Sequence, residues 1–166
     1  PNGNNLGIKI SYIEQKEPRG LPDAFILGEK FIANESVALI LGDNFFYGQS
    51  LTKNLKKCIR IKNGAKVFLH PVKNPNLYGV ATINKNNKII KLVEKPKRTS
   101  SNLAVTGLYF FDNKVVKYSK SLKQSKRKEL EIIDLLKKYK NNKKLNAEFI
   151  GRGATWLDTG SIDDFY

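Results

Sequence analysis

The sequence is poor in the residues that build disulfide and metal frameworks. Its 166 residues include no methionine, one cysteine, one tryptophan and one histidine. The single thiol, Cys58, cannot form an internal disulfide, and one cysteine with one histidine does not make a zinc cluster. No run of eighteen apolar residues and no basic-then-apolar leader occurs, so the sequence predicts neither a membrane span nor secretion. We therefore expect a cytoplasmic protein with no membrane partner.

Acidic residues are scarce as well. Asp and Glu number 15 against 30 Lys and Arg, which gives a formal net charge of +15. Such a charge can indicate a nucleic-acid partner. Here the cations are mostly lysines scattered among asparagines, without an arginine-rich arm, an RNP-type aromatic motif or zinc-finger spacing. This distribution favours a solvated surface that attracts small anionic ligands. Nonspecific nucleic-acid binding is the least favoured alternative.

What is present fits one globular domain. Hydrophobic residues make up 40% and aromatic residues 10% of the chain, and its length is enough for a sizeable core. The chain begins at Pro1 and stops within the segment S-I-D-D-F-Y. We therefore expect residues 1–166 to be a single domain that is truncated at both ends.

The hydrophobic pattern predicts alternating strands and helices, then a hairpin and further strands. The continuous apolar run at 36–41 is typical of a strand that is buried on both faces, and Ser50 is a plausible N-cap for the helix that follows. Strand, helix and strand in succession indicate parallel βαβ units. We expect an α/β fold with a mixed sheet. The predicted strands are 7–14, 36–41, 65–72, 80–83, 89–93, 104–111, 146–150 and 154–158, and the predicted helices are 21–33, 50–62, 113–121 and 129–140.

Two aspartates follow apolar segments in distant parts of the chain. Asp43 ends the run L-I-L-G-D, and Asp158 ends W-L-D. Ligands of open α/β sheets bind beyond the carboxyl ends of the strands, where these acids stand. Two carboxylates about 5 Å apart repel by roughly 3 kcal/mol at an effective dielectric near 20, and Mg²⁺ would relieve that repulsion. The alternative is that Gly42, Asp43 and Asn44, and likewise Asp158, are only turn formers.

Other candidate groups have an equally plain structural interpretation. Glu94 and Lys95 end a strand before Pro96 and could bind sugar hydroxyls and phosphate, but they could also be a solvated ion pair. Gly79 allows close backbone approach beside Tyr78, although a core tyrosine is the default. His70 and Cys58 have no motif that marks them as catalytic.

Six sequence blocks occur in a recognisable order along the chain. They are Q-K-E-P-R-G-L at 15–21, L-G-D-N-F-F-Y-G at 41–48, Y-G-V at 78–80, E-K-P at 94–96, V-T-G-L-Y at 105–109 and G-R-G-A-T-W-L-D-T-G at 151–160. Together these blocks resemble the sugar-phosphate nucleotidyltransferase family and favour its thymidylyl branch, the glucose-1-phosphate thymidylyltransferases. The match covers nearly the whole chain, and the final W-L-D-T-G is its most specific part.

The resemblance implies a Rossmann-like nucleotide-diphospho-sugar transferase fold, with a mixed, mostly parallel sheet flanked by helices. It implies transfer of a deoxythymidylyl group from dTTP to glucose 1-phosphate, with Mg²⁺ held by Asp43 and Asp158. By the same resemblance, the nucleotide-binding residues are Gln15, Pro18, Gly20, Leu21 and Asp43. The sugar-phosphate residues are Tyr78, Gly79, Glu94, Lys95, Val105 and Trp156, and Arg127 matches an arginine that meets the phosphate.

The sequence departs from the family pattern in three places. The base-reading segment G-L-A-Q-A is G-L-P-D-A here, which puts Asp23 near the expected nucleotide, and R-G-E-L-E-I-T-D is R-K-E-L-E-I-I-D at 127–134. The glycine-rich loop G-G-x-G-T-R-L is not in this chain. We therefore expect the parent protein to be the enzyme and this piece alone to be impaired.

Two alternatives stay open beside thymidylyl transfer. The first is uridylyl or other nucleotidyl transfer to a sugar 1-phosphate, and the second is a domain that binds a nucleotide sugar without turnover. The resemblance also implies a homo-oligomer, a tetramer by family pattern, that supplies an activated hexose for surface polysaccharide.

Overall fold

The computed structural model describes residues 2–49, 51–151 and 153–160. The predicted cap Ser50 lies outside these ranges. The strands are β1 (Val37–Ile40), β2 (Asn44–Gly48), β3 (Ala65–Pro71), β4 (Gly79–Ile83), β5 (Ile89–Glu94), β6 (Leu103–Phe111), β7 (Leu145–Phe149) and β8 (Ala154–Asp158). The helices are α1 (Asp23–Leu27), α2 (Glu29–Ile32), α3 (Leu51–Cys58), α4 (Val115–Lys120) and α5 (Ile132–Asn141).

The main sheet is organised around the long strand β6. In the described part of the chain it has six strands, in the order β5-β4-β6-β3-β7, and β1 pairs with β6 as well. β3 follows one edge of β6, while β1 pairs with the C-terminal half of its other edge and β4 with its N-terminal half. β1, β3 and β4 are antiparallel to β6, and β7 is parallel to β3. Four of these six strands therefore run in one direction.

This sheet confirms the predicted mixed α/β fold and refines its topology. β1 and β3 run in the same direction, as the strand-helix-strand pattern predicts, but β6 lies between them. β4 and β5 form the predicted hairpin with the register Gly79↔Glu94. The turn of that hairpin is closed by the side chain of Asn84, which accepts hydrogen bonds from the backbone N–H groups of Asn86 and Lys88.

A separate two-stranded ribbon joins distant parts of the chain. β2 pairs antiparallel with β8 in the register Asn44↔Asp158 to Gly48↔Ala154. The residues of β2 alternate in burial, and Trp156 is the buried residue of β8. Residues that directly follow β1 are thereby placed next to the end of the described chain.

The core lies between the main sheet and the helices α1, α4 and α5. The helix α5 buries the apolar face that the sequence predicts, which includes Ile133, Leu136 and Tyr139. A buried carboxylate ties this layer together, because Asp112 accepts hydrogen bonds from Tyr139 Oη at 2.8 Å and from the backbone N–H of Gly64 at 2.7 Å. None of the described helices is long and apolar enough to cross a membrane.

The strand predicted at 7–14 is wrong. These residues have no regular secondary structure, and the side chains of Ile8, Tyr12 and Ile13 are more than half exposed. A strand needs a partner for its backbone N–H and C=O groups, and the alternating pattern of a segment carries no information about where that partner lies.

The prediction that both faces of β1 are buried is wrong, since Ala38 and Ile40 are exposed on one face of this strand. The helix predicted at 21–33 divides at Gly28, and its buried side includes Ile32 rather than Phe31.

The helix predicted from Glu129 begins at Ile132, because Glu131 has an extended backbone. Ile59, predicted to face inward, lies beyond the end of α3 and is exposed.

Candidate active site

The two candidate carboxylates meet at one end of the β2–β8 ribbon. Asp43 directly precedes β2, and Asp158 is the last residue of β8. The carbonyl oxygen of Asp43 accepts two hydrogen bonds of 2.8 Å, from the backbone N–H and the hydroxyl of Thr159. A side-chain carbon built on Gly160 would lie 3.2 Å from Asp43 Oδ2 and 3.2 Å from Asp158 Oδ1. The two oxygens are therefore separated by at most twice that distance.

The side-chain amide of Asn44 fixes this corner. Its Nδ2 donates to Asp43 Oδ1 at 2.9 Å. Its Oδ1 accepts from the indole N–H of Trp156 at 2.6 Å and from the backbone N–H of Gly107 at 2.9 Å. A Cβ at position 107 would lie 2.5 Å from Asn44 Oδ1, so only glycine leaves room for this contact. The carboxylate of Asp43 is thus connected to β8 and to β6.

A cleft of about 280 Å³ opens beside the ribbon. It is walled by β4, the end of β5, β6 and the start of α5, with the segment 127–131 on one side. Nine residues singled out from the sequence line it, namely Leu21, Tyr78, Gly79, Glu94, Lys95, Val105, Arg127, Trp156 and Asp158. Polar and apolar groups therefore converge on a single cavity from six separate parts of the chain.

Gly79 and Lys95 shape one wall of this cleft. A Cβ on Gly79 would lie 2.6 Å from Ile133 Cδ1, so the absence of a side chain lets α5 pack against β4. Lys95 follows the end of β5 with φ at +38°, and its backbone N–H donates to the carbonyl of Tyr78 at 3.1 Å. Sparsely populated backbone conformations of this kind cluster at functional sites.

An arginine in this cleft is surrounded by carboxylates. Arg127 donates to both carboxylate oxygens of Glu131, with its closest contact at 2.8 Å. Glu94 lies 3.8 Å and Glu129 3.9 Å from the same guanidinium. The turn that carries Arg127 is closed by a hydrogen bond from the N–H of Ser125 to the carbonyl of Glu129 at 2.8 Å. These carboxylates hold the guanidinium of Arg127 in the cleft. A phosphate that enters the cleft would compete with Glu131 for this guanidinium.

Burial and charge raise the pKa of Glu94. Burial is the larger cause, the negative charge of Glu131 adds to it, and Arg127 opposes it. Burial also raises the pKa of Tyr109, which lies in the cleft lining near Glu94 and Asp158. The cleft therefore disfavours an additional negative charge unless a cation accompanies it.

Of the two titratable groups that the sequence set aside, His70 contacts a residue of the cleft through its ring, and Cys58 is buried in a separate hydrophobic cluster with Phe68 and Phe110. Trp156 contacts Tyr78 edge to face with ring centroids 5.3 Å apart, and His70 lies at 6.0 Å on the other side. Burial lowers the pKa of His70 and raises that of Cys58 to about 11, so both are neutral at physiological pH. The structure gives neither residue a chemical role.

The segment 15–23 lies against the cleft through its backbone. The N–H of Leu130 donates to the carbonyl of Arg19 at 2.8 Å, and Gly20, at φ +96°, fits against the backbone of Leu130. Gln15 lies in a neighbouring pocket formed by residues 14–17 and Arg19 with Asp23 and Leu27. Pro18 is exposed. The predicted nucleotide-binding segment is therefore adjacent to the cleft, with Leu21 in its wall.

The donor set at the ribbon fits a hard divalent cation. Asp43 and Asp158 supply anionic oxygens, and Mg²⁺ is commonly held by one or two carboxylates with water and substrate phosphates completing the shell. Among the described residues, no group of three or more His, Cys, Asp or Glu side chains could hold a metal alone. Water and a substrate phosphate would complete the coordination shell of a cation here.

Sequence reasoning missed Asn44 and Glu131 as parts of the site. Asn44 stands in the motif at 41–48 and Glu131 in the motif at 127–134, so both positions were in view. Their roles depend on partners brought from β6, β8 and the turn at 125–129, which a linear pattern does not show.

Comparison with known proteins agrees with this geometry. A family model described as nucleotidyl transferase matches residues 1–166. The chain is 48% identical over 165 residues to a glucose-1-phosphate thymidylyltransferase of Neisseria meningitidis serogroup A, and covers 57% of that protein. It is 44% identical over 162 residues to the protein of the same name in Mycolicibacterium smegmatis, of which it covers 56%. The alignments take in 99% and 98% of this chain, which thus spans little more than half the length of these relatives.

Solved structures show the same fold. A protein assigned as a glucose-1-phosphate thymidylyltransferase of Bacillus anthracis, in complex with sucrose, superposes with a TM-score of 0.87 at 37% identity, over 99% of this chain and 65% of that one. A UDP-glucose pyrophosphorylase complexed with UDP-glucose superposes with a TM-score of 0.80 at 25% identity, over 98% of this chain and 68% of that one.

Proposed function

The chain belongs to the nucleotidyl transferase family, and from this premise we propose that the full protein transfers a deoxythymidylyl group from dTTP to glucose 1-phosphate. The products are dTDP-glucose and pyrophosphate. The observation that carries the proposal is the meeting of Asp43 and Asp158 beside a cleft that also contains Arg127 and Lys95. The thymidylyltransferase relatives, at 44% and 48% identity, favour this nucleotide over others.

The reaction needs no nucleophilic side chain. An oxygen of the sugar phosphate attacks the α-phosphorus of the triphosphate, the bond from that phosphorus to the bridging oxygen of the β-phosphate breaks, and pyrophosphate leaves. Both reacting groups belong to substrates, so the protein supplies position and charge. Mg²⁺, bound by Asp43 and Asp158, would neutralise charge at the phosphates.

The cleft residues would hold the sugar phosphate. Lys95 and Arg127 supply positive charge for its phosphate, and Glu94 supplies an acceptor for sugar hydroxyls. Gly79 and Val105 give the sugar ring a close wall, and Tyr78 with Trp156 gives it an aromatic edge. Gln15, Gly20 and Leu21, with Pro18 beside them, would bind the base.

Uridylyl transfer is the second candidate, favoured by the likeness to a pyrophosphorylase bound to UDP-glucose. Thymine and uracil differ by one methyl group, which a pocket distinguishes by about 1 to 3 kcal/mol. A domain that binds a nucleotide sugar without turnover is the third. Magnesium dependence, a homo-oligomeric state and a cytoplasmic location remain predictions.

The test is pyrophosphate release by the full protein from dTTP or UTP with glucose 1-phosphate and Mg²⁺. We expect dTTP to be preferred, and Asp43→Asn or Asp158→Asn to lower turnover by about a hundredfold or more, since charge stabilisation of the transition state is lost. Glu29→Gln is the matched control, because Glu29 is an exposed carboxylate that pairs with Lys120. Faster turnover of UTP would transfer the proposal to the second candidate, and full activity in both aspartate variants would refute the catalytic site.

A further inference from the structure

A buried carboxylate contacts the residue that would read the base. Asp23 is the first residue of α1, and only 2% of it is exposed. Its Oδ2 accepts a hydrogen bond of 2.9 Å from Gln15 Nε2. The same amide nitrogen also lies 3.3 Å from the carbonyl oxygen of Gly20. The two contacts close the segment 15–23 into a compact loop.

These contacts determine which end of the Gln15 amide faces outward. A carboxylate and a backbone carbonyl both accept hydrogen bonds, so the NH₂ group of Gln15 must face them. Its carbonyl oxygen Oε1 is then the end left for a ligand. If the amide were reversed, the Oε1 atom of Gln15 would face two other acceptors, the carboxylate of Asp23 and the carbonyl of Gly20. The buried carboxylate would then lose its hydrogen-bond donor, which costs free energy.

Burial restricts the carboxylate of Asp23 more than it restricts Gln15. Asp23 is enclosed in the core-facing side of α1, and Arg19 Nε lies 3.9 Å from its other oxygen, Oδ1, which is buried and makes no hydrogen bond within the described structure. Asp23 is therefore a fixed acceptor, and the more exposed Gln15 must adapt to it.

We propose that Asp23 is a positioning residue that makes Gln15 present a hydrogen-bond acceptor and thereby selects pyrimidines with an imide N–H. Thymine and uracil carry a donor at N3, whereas cytosine carries an acceptor there. An acceptor on the protein pairs with the first two and opposes the third. This inference rests on the proposed function, because it takes Gln15 as the residue that reads the base.

The test uses Asp23→Asn in the full protein, with kcat/KM and calorimetric binding measured for dTTP and dCTP. Asparagine has the same shape but can donate as well as accept, so Gln15 can turn either way. We expect the preference for dTTP over dCTP to fall about tenfold, which corresponds to roughly 1.4 kcal/mol. Gln15→Leu should remove the same preference, and adding Asp23→Asn to it should have no further effect on the ratio.

A second measurement needs no substitution. Hydrogen exchange of the Gln15 side-chain amide, followed by NMR, should be slower than that of the exposed Gln124, because only the first amide is hydrogen-bonded to a buried carboxylate. Equal exchange rates would overturn the inference even if Asp23→Asn does not fold.

The outcomes separate this inference from the proposed function. A dTTP preference that is unchanged in Asp23→Asn but lost in Gln15→Leu overturns the role of Asp23 and leaves the function intact. A wild-type protein that binds dTTP and dCTP equally also overturns it. If no nucleotide is turned over but the binding preference falls in Asp23→Asn, the inference stands and nucleotidyl transfer fails.

Discussion

At the scale of single residues, Asn44 shows how one amide can organise a site. Its two ends bind the carboxylate of Asp43, the indole of Trp156 and the backbone of β6. Mutation of a residue that orients a metal-binding carboxylate commonly lowers metal affinity or activity by about tenfold to a hundredfold. Asn44 would act through Asp43, so its effect should be visible in the metal dependence of the reaction.

We predict that Asn44→Asp lowers turnover about 10- to 100-fold and raises the Mg²⁺ concentration needed for half-maximal rate. Aspartate keeps the acceptor for Trp156 and Gly107 but replaces the donor to Asp43 with a like charge. Asn86→Asp is the control, because Asn86 is exposed in the turn between β4 and β5. Unchanged metal dependence in Asn44→Asp would show that this amide has no part in binding the cation.

Glu94 carries a cost to stability that depends on pH. Its pKa in the folded protein is raised above the usual 4.5, mainly by burial. Below pH 4.5 the carboxyl of Glu94 is protonated in the folded and unfolded states alike, so it carries no penalty. As pH rises through the folded pKa, the folded state must bury a charged carboxylate, and the free energy of unfolding falls.

We therefore predict that Glu94→Gln raises the free energy of unfolding at pH 7 by about 0.5 to 1 kcal/mol and changes it little at pH 4. Turnover should fall in the same variant, because the charged acceptor for the sugar is removed. Urea denaturation at the two pH values measures the first effect. A variant that is less stable at pH 7 would mean that the pairing with Arg127 outweighs the burial cost.

At the scale of elements, the turn before β3 brings two backbone segments into close contact at Gly64. Gly64 has φ at +95°, and a Cβ there would lie 2.3 Å from the carbonyl oxygen of Lys144, which receives a hydrogen bond from the N–H of Ala65. Both the backbone conformation and the available space require glycine at this position.

We predict that Gly64→Ala lowers the free energy of unfolding by about 2 kcal/mol or more, because backbone strain and steric overlap add. Gly7→Ala is the matched control, since Gly7 also has a positive φ of 66° but nothing within 4 Å of its Cβ position, and we expect a loss of only about 1 kcal/mol. Equal losses in urea denaturation would show that space around Gly64 is not limiting.

The sequence predicted those strands and helices whose own apolar residues face the core. β3, β6 and α5 were found close to their true bounds because their apolar positions face the core directly. The strand at 7–14 and the two-sided burial of β1 were wrong, because a strand depends on a pairing partner and the burial of a face depends on the elements packed on it, and the pattern of a segment specifies neither. The Asn44↔Asp158 register could not be predicted from local pattern for the same reason.

The candidate site was predicted in its residue types but not in its contacts. The family motifs brought Asp43, Asp158 and Glu94 into view, and the structure places them at one ribbon end and its adjoining cleft. The carboxylates around Arg127 and the contact from Asp23 to Gln15 were not visible, because each depends on backbone turns that bring the partners together.

At the scale of the whole molecule, the net charge is +15, and some of the cations lie next to one another. On α3 and just beyond it, Lys53, Lys56, Lys57 and Arg60 line one shallow pocket. Like charges four residues apart on a helix destabilise it by a few tenths of a kcal/mol, and the net positive field draws anionic substrates toward the protein.

We predict that Lys53→Glu raises the free energy of unfolding by about 0.5 kcal/mol in low salt, because it replaces the Lys53 and Lys57 repulsion with an attractive pair in the favourable order. Lys53→Gln should give about half the gain. The difference between the two variants should vanish in 1 M NaCl, where charge interactions at the surface are screened. A gain that persists in high salt would indicate a cause other than charge.

The β2–β8 ribbon also constrains when the protein can become active. Asn44 and Trp156 are 112 residues apart in sequence, and β2 pairs only with β8 within the described chain. During synthesis the ribosome completes β2 long before β8, so β2 has no partner strand while β3 to β7 are made. Closing such a large loop is slow. We expect the corner formed by Asp43 and Asp158 to be among the last parts of the domain to form, so the proposed activity would require that β8 has emerged.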